Sequence, residues 1–138
     1  MGGVVHSVIT RRQFSFTGVT TGTLDVPLIR AIDVTDAKSI DVVVRVHAAT
    51  GLSATATIAV HARAISLTSE EPDADFTNTT ELGTTTLDNT LGSAPALKVT
   101  SLTGPWGHMI RLFVRGTQPA SPVTLNATLS IDLVVRDT

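Results

Sequence analysis

From Val123 onward the chain alternates without a break. Val123, Leu125, Ala127, Leu129, Ile131, Leu133 and Val135 take every second place, and Thr124, Asn126, Thr128, Ser130, Asp132, Val134 and Arg136 fill the gaps. Successive side chains of a strand point to opposite faces, so a two-residue period held this long gives one dry face and one mostly wet face. A helix of the same sequence would smear its apolar residues around the axis. Ile40, Val42, Val44, Val46 and Ala48 repeat the pattern, with Asp41, Val43, Arg45 and His47 on the reverse. Ala56, Ile58, Val60, Ala62 and Ala64 continue it after the turn-forming TGLS, which predicts a hairpin between these two strands.

Further strands are expected at 4–16, 19–29, 80–88, 96–102 and 109–116, and nowhere do apolar residues hold a helical spacing for three turns. The 23 Thr and 16 Val suit such strands, because a side chain branched at Cβ packs well on a pleated, half-buried surface. Turn signals at TGVTTG, DVTDAK, TGLS, EEPDAD, LGSAP, TGPWG and TQPASP separate the strands at the spacing of sandwiches and barrels. Pro27 marks its strand as an edge or a bulge. The expectation is an all-β chain, one β-sandwich domain over 1–138 with about eight antiparallel strands, jelly-roll-like rather than immunoglobulin-like.

Composition bears on partners. The formal net charge is −2 and no basic run exceeds Arg11-Arg12, which argues against nucleic acid as a partner. No apolar stretch approaches the roughly 20 residues of a membrane helix, and no signal peptide is expected from the opening residues. The absence of cysteine excludes disulfides, thiolate metal sites and cysteine nucleophiles.

Chemistry-bearing motifs are sparse. SEEPDADF, residues 69–76, gathers Glu70, Glu71, Asp73 and Asp75 in one stretch. Its spacing does not match a calcium loop and Pro72 interrupts it, so the expectation is a solvated loop pinned to the core by Phe76, with no metal. His47 and His61 fall on the polar faces of the expected hairpin beside Arg45 and Arg63, and some registers would bring the rings together, though no third ligand is implied. His6 and His108 join no constellation. No GxSxG and no GxxxxGK[ST] occurs. The expectation is a protein that is not an enzyme, with no catalytic residue and no cofactor.

Two features point to assembly. Eight of the ten basic residues are arginine, whose planar fork suits protein interfaces where lysine is depleted. Apolar residues also fall on strand faces expected to meet water: Val43, Ala59, Ile65, Phe113 and Val134. Phe113 stands between Arg111 and Arg115, an aromatic-and-arginine stripe of the kind that anchors interfaces. The candidate interface is therefore Val43, Arg45, Arg63, Arg111, Phe113, Arg115 and Val134. Its arginines would reach carboxylates of a neighbouring subunit, such as Asp41 or those of SEEPDADF.

The opening QFSF strand, the segment DVPLIRAIDVTDAKSIDVVVRVHAATG, then EEPDADF, MIRLFVRGTQ and NATLSID resemble, in pattern, small β-sandwich virion proteins of tailed phages and prophages of the head-decoration and minor capsid type. The resemblance implies a sandwich that self-associates as a homo-oligomer, most simply a ring or trimer, and binds a capsid or other shell protein at a virion surface. It carries over no catalytic residue. Two rival classes use the same architecture. A carbohydrate-binding module would need aromatic platforms, whereas this chain has one Trp, Trp106, expected to pack a turn against the core, and no Tyr. A bacterial shell or appendage subunit is the other.

Overall fold

The computed structural model describes residues 3–17, 22–28, 32–65, 80–106, 109–121 and 123–137. Among these residues nine strands lie in two antiparallel sheets: β1 (Gly3–Phe16), β2 (Gly22–Pro27), β3 (Ile32–Asp33), β4 (Ser39–Thr50), β5 (Thr57–Ile65), β6 (Thr80–Leu87), β7 (Ala96–Ser101), β8 (Met109–Gln118) and β9 (Leu125–Arg136). The first sheet runs β1-β9-β4-β7. The second runs β2-β8-β5-β6, with β3 also paired to β8.

These pairings nest. β1 pairs β9, β2 pairs β8, β4 pairs β7 and β5 pairs β6, so the chain behaves as one long hairpin whose two arms roll together around the core. The β4–β9 and β5–β8 ladders close each sheet across the roll. This is a jelly roll. Of the strand expected at 19–29, the described residues form Gly22–Pro27, and the two-residue β3 lies along the same edge of β8. Pro27 does end an edge strand, where a missing N–H costs no ladder bond.

The core is the expected dry face. Ile40, Val42, Val44 and Val46 of β4 and Leu125, Ala127, Leu129, Ile131 and Leu133 of β9 are buried against Ile58, Val60 and Ala62 of β5 and Ile110, Leu112 and Val114 of β8. Phe14 and Phe16, from QFSF, close one end. Val123 departs from the pattern: it precedes β9 and is exposed, and its backbone N–H and carbonyl are both held by the Gln118 amide.

The expected hairpin between β4 and β5 does not form, because the two strands belong to different sheets. A tight turn would hold them at the roughly 4.8 Å of a ladder, whereas facing sheets lie about 10 Å apart. Residues 51–56 make that crossing. Gly51 turns the chain with φ +86°, and a Cβ there would collide with the carbonyl of Thr124. The TGLS signal marks a real change of direction, but one between layers.

Candidate functional site

A cleft lined by His6, Asp33, Asp36 and Asp137 gathers titratable groups, though among the described residues no three of them are placed to hold a metal. The outer faces of the two sheets are the more extensive candidate site, and they differ sharply. On the second sheet the expected stripe of Arg111, Phe113 and Arg115 lies on β8, beside Arg63 of β5. Phe113 is nevertheless fully buried within the single chain, and Arg111 nearly so. This corrects the expectation that they stand on a face open to a partner. Across β5, the His61 ring stacks on Phe113 at 4.8 Å between centroids with 5° between planes. The guanidinium groups of Arg63 and Arg115 lie 4.9 and 5.3 Å from the same centroid. Long amphipathic side chains lay themselves over the aromatic and keep their charged ends at the surface. Ala59, also expected on a wet face, is buried too, and the side chain of Ile65 lies outside the described residues.

The arginines over Phe113 are held by carboxylates of their own chain. Arg115 makes a fork to Asp25, with Nε to Oδ1 at 2.7 Å and Nη2 to Oδ2 at 2.9 Å. Arg63 Nε donates to Glu81 Oε2 at 2.6 Å, while Glu81 Oε1 is within 2.8 Å of His61 Nδ1 and accepts from the Thr84 hydroxyl. On the other sheet Asp41 accepts from Arg136 Nη1 and from the Ser101 hydroxyl, both at 2.7 Å. The intersubunit pairing expected for these groups is thus made internally, because cross-strand neighbours already match the charges.

These bonds set a pH dependence. The Arg115 hydrogen bond, working against burial, holds the Asp25 carboxyl below its ordinary value, and Arg136 and Ser101 do the same for Asp41. Burial opposes ionisation of Glu81, but the bonds from Thr84, Arg63 and His61 outweigh it and its pKa is also lowered. A carboxyl whose folded pKa lies below the unfolded one contributes stability above the unfolded value, about 4, and loses it as the pH falls through the folded value. Urea midpoints should therefore decline modestly as the pH falls through about 6.5, where His47 protonates more readily in the unfolded chain, and fall steeply below about pH 4. The variant Glu81→Gln should show a shallower fall. A midpoint unchanged down to about pH 2 would contradict this.

His47 and His61 lie on the outer faces of opposite sheets, so the metal pair allowed by a hairpin is not formed. His47 Nε2 lies 2.8 Å from the Ser130 hydroxyl, which also accepts from the backbone N–H of Arg11 at 3.0 Å. Arg11 sits in the left-handed region at φ 47°, within an irregular part of the β1–β9 ladder. Partial burial, together with Arg11 and Arg45, holds His47 below its ordinary pKa. Among the described residues no three His, Asp or Glu gather to hold a metal. SEEPDADF, with Phe76, and His108 lie outside the described residues.

The outer face of the first sheet carries the remaining expected residues and several more. Val134 of β9 stands between Val5 of β1 and Asp41 of β4. One row along, Val43 lies between Asp132 of β9 and Val99 of β7, and Arg45 lies opposite Leu97. Val5, Leu97 and Val99 are more than half exposed, and Val43 and Val134 are half-buried. A diagonal apolar band thus crosses all four strands. Leu97 and Val99 were missed because a short strand such as ALKVTS reads most simply with both inward, and Val5 because the first residues of β1 show no regular alternation. Instead Lys98 faces the rim between the sheets and donates to the Thr86 carbonyl at 2.9 Å.

No family model matches the chain, and no curated protein matches it. Solved structures with the same fold do exist. A chain of the VP2 subviral particle of infectious bursal disease virus matches 97% of this chain with a TM-score of 0.62 and 18% identity. The structure of the Gx strain of that virus matches 97% with a TM-score of 0.55 and 16% identity. A carbohydrate-binding module of the β-sandwich superfamily matches 96% with a TM-score of 0.54 and 14% identity. This chain spans 32%, 31% and 53% of those chains respectively. At such identities the likeness shows the fold, a jelly-roll sandwich.

Proposed function

We propose that the protein is a non-enzymatic structural subunit that associates with identical chains and builds or decorates the surface of a virion or similar particle, seated on a capsid or shell protein. The observation that carries this reading is the apolar band of Val5, Val134, Val43, Val99 and Leu97 on the outer face of the first sheet. On the second sheet the chain hides its outward aromatic beneath its own side chains, whereas on the first it leaves branched aliphatics in water. Covering them would stabilise an assembly by roughly 25 cal/mol per Å² of apolar area removed from water. Within the candidate interface, Val43, Arg45 and Val134 form the accessible part, and Arg63, Arg111, Phe113 and Arg115 hold the opposite sheet together. The fold shared with a chain of a subviral particle supports the same reading.

Carbohydrate binding draws support from the fold shared with a carbohydrate-binding module. It draws none from the surface: Phe14, Phe16 and Phe113 are buried, and Trp106 packs against the core and over Gly104. An aromatic platform open to a sugar ring is absent among the described residues.

Light scattering of the wild type against Val43→Asp tests the proposal. The wild type should have a mass above the 14.4 kDa of one chain, and the variant should fall toward that mass with its strand spectrum intact. Equal masses for the two proteins would count against the band as the interface.

A further inference from the structure

The four sheet edges are not alike. β1 is broken by two irregularities, around Ser7–Ile9 and Ile9–Arg12, β2 ends in Pro27, and the β5–β6 ladder carries a bulge at Ala62–Arg63. Such features protect an edge from pairing with another chain. β7 has none of them within its six residues, Pro95 lying one position before it. Its six residues pair with β4 in unbroken register from Ala96 to Ser101. Lysine, the usual guardian of an edge, is turned inward and tied to Thr86.

The phase of the ladder shows what β7 offers. The N–H of Leu102 donates to the carbonyl of Ile40, and Thr103, the next residue, donates instead toward β6, to Leu82. In an antiparallel ladder these directions alternate, so Ala96, Lys98 and Thr100 bond β4 while Leu97, Val99 and Ser101 direct their N–H and C=O groups to the free edge. No strand pairs with that edge among the described residues. The two residues with exposed apolar side chains, Leu97 and Val99, are thus also two of the three whose backbone groups lack a ladder partner. Beside them an open cleft between β6 and β7 is lined by Thr84, Thr86, Asp88 and Lys98.

We propose that β7 pairs antiparallel with β7 of a second copy across a two-fold axis, joining the two four-stranded sheets into one. This rests on the assembly reading above and names its first contact. The strand's own sequence selects the occupant and the register. With Val99 opposite Val99 of the second copy, Leu97 faces Ser101, Lys98 on the inner side lies beside Thr100, and about six backbone hydrogen bonds form. Slipping by two residues one way would set Lys98 against Lys98, a like-charge pair that destabilises a sheet, and slipping the other way would leave only about four backbone bonds. In the chosen register the row of Arg45 and Leu97 continues into Ser101 and Asp41 of the other copy, so no like charges face each other across the seam. Val43 and Val99 of both copies then make one apolar row, continuous with the band on each sheet.

The chain contains no cysteine, so single-cysteine variants report the register directly. Facing residues of an antiparallel pair lie about 5.5 Å apart between Cα atoms, within disulfide range. Under mild oxidation Val99→Cys should run largely as a covalent dimer at twice 14.4 kDa, while Leu97→Cys and Lys98→Cys stay single. Val99→Lys, at an exposed position, should keep its strand spectrum and lose the dimer. Cross-linking through Lys98→Cys, or a wild type that associates while Val99→Cys stays single, would overturn the strand pairing and leave the assembly reading standing. A Val99→Cys dimer beside an unaffected Val43→Asp would support the pairing and count against the band. A monomeric wild type with no cross-link overturns both.

Discussion

Phe113→Asp should abolish folding. The side chain is fully buried, enclosed by the His61 ring and the guanidiniums of Arg63 and Arg115. Truncating a buried Phe to Ala costs about 3–5 kcal/mol, a large share of the ~5–15 kcal/mol that holds a domain together. Aspartate adds a carboxylate that must be desolvated in the same place. Arg63 and Arg115 would offer it positive charge, but both are engaged with Glu81 and Asp25, and the packing volume of the ring would still be lost. Circular dichroism should show loss of the strand signal at ambient temperature, and Phe113→Leu should retain it with a lowered melting temperature. A folded Phe113→Asp protein impaired only in association would restore the expectation, drawn from sequence, of an exposed stripe.

The second large effect is expected at Gly116. It lies in β8 between Leu24 of β2 and Ile58 of β5, and a Cβ built there falls well inside contact distance of the Phe16 ring. Phe16 is itself buried, so the ring has no free space to enter. Gly116→Val should cost at least the upper end of the ~1–3 kcal/mol typical of overpacking, read as a lowered urea midpoint at unchanged slope. Phe16→Leu makes room and should partly rescue it, so the double variant is more stable than the summed single effects predict. Additive effects would show that the ring and the glycine are not in contact.

The contrast between Phe113 and Val43 shows where sequence reading reached its limit. Alternation in β4, β8 and β9 gave the two faces of each strand correctly, because the period of two is local and survives any strand order. It also gave one sandwich, since apolar faces of this length need a second layer. Which outward residues meet water depends on what lies across the ladder. Phe113 is covered because His61 is its cross-strand neighbour in β5, with Arg63 and Arg115 alongside, a juxtaposition of residues about 50 positions apart set by the roll. Val43 has only Asp132 and Val99 beside it, both too short to cover it.

The same limit explains TGLS and ALKVTS. A glycine turn between two alternating strands reads as a hairpin unless the layer of each strand is known, and layer assignment is a long-range property. In β7 the apolar residues face outward because the strand lies at the rim, where Lys98 reaches a backbone carbonyl and the Thr100 hydroxyl meets that of Thr85 at 2.7 Å. A six-residue strand carries too few alternations to reveal such an inversion.

Sedimentation equilibrium of the wild-type chain across a wide concentration range reads its association without any substitution. The average mass should rise with concentration to at least twice 14.4 kDa, with a dimer as the first species. A single species of 14.4 kDa at every concentration would contradict it.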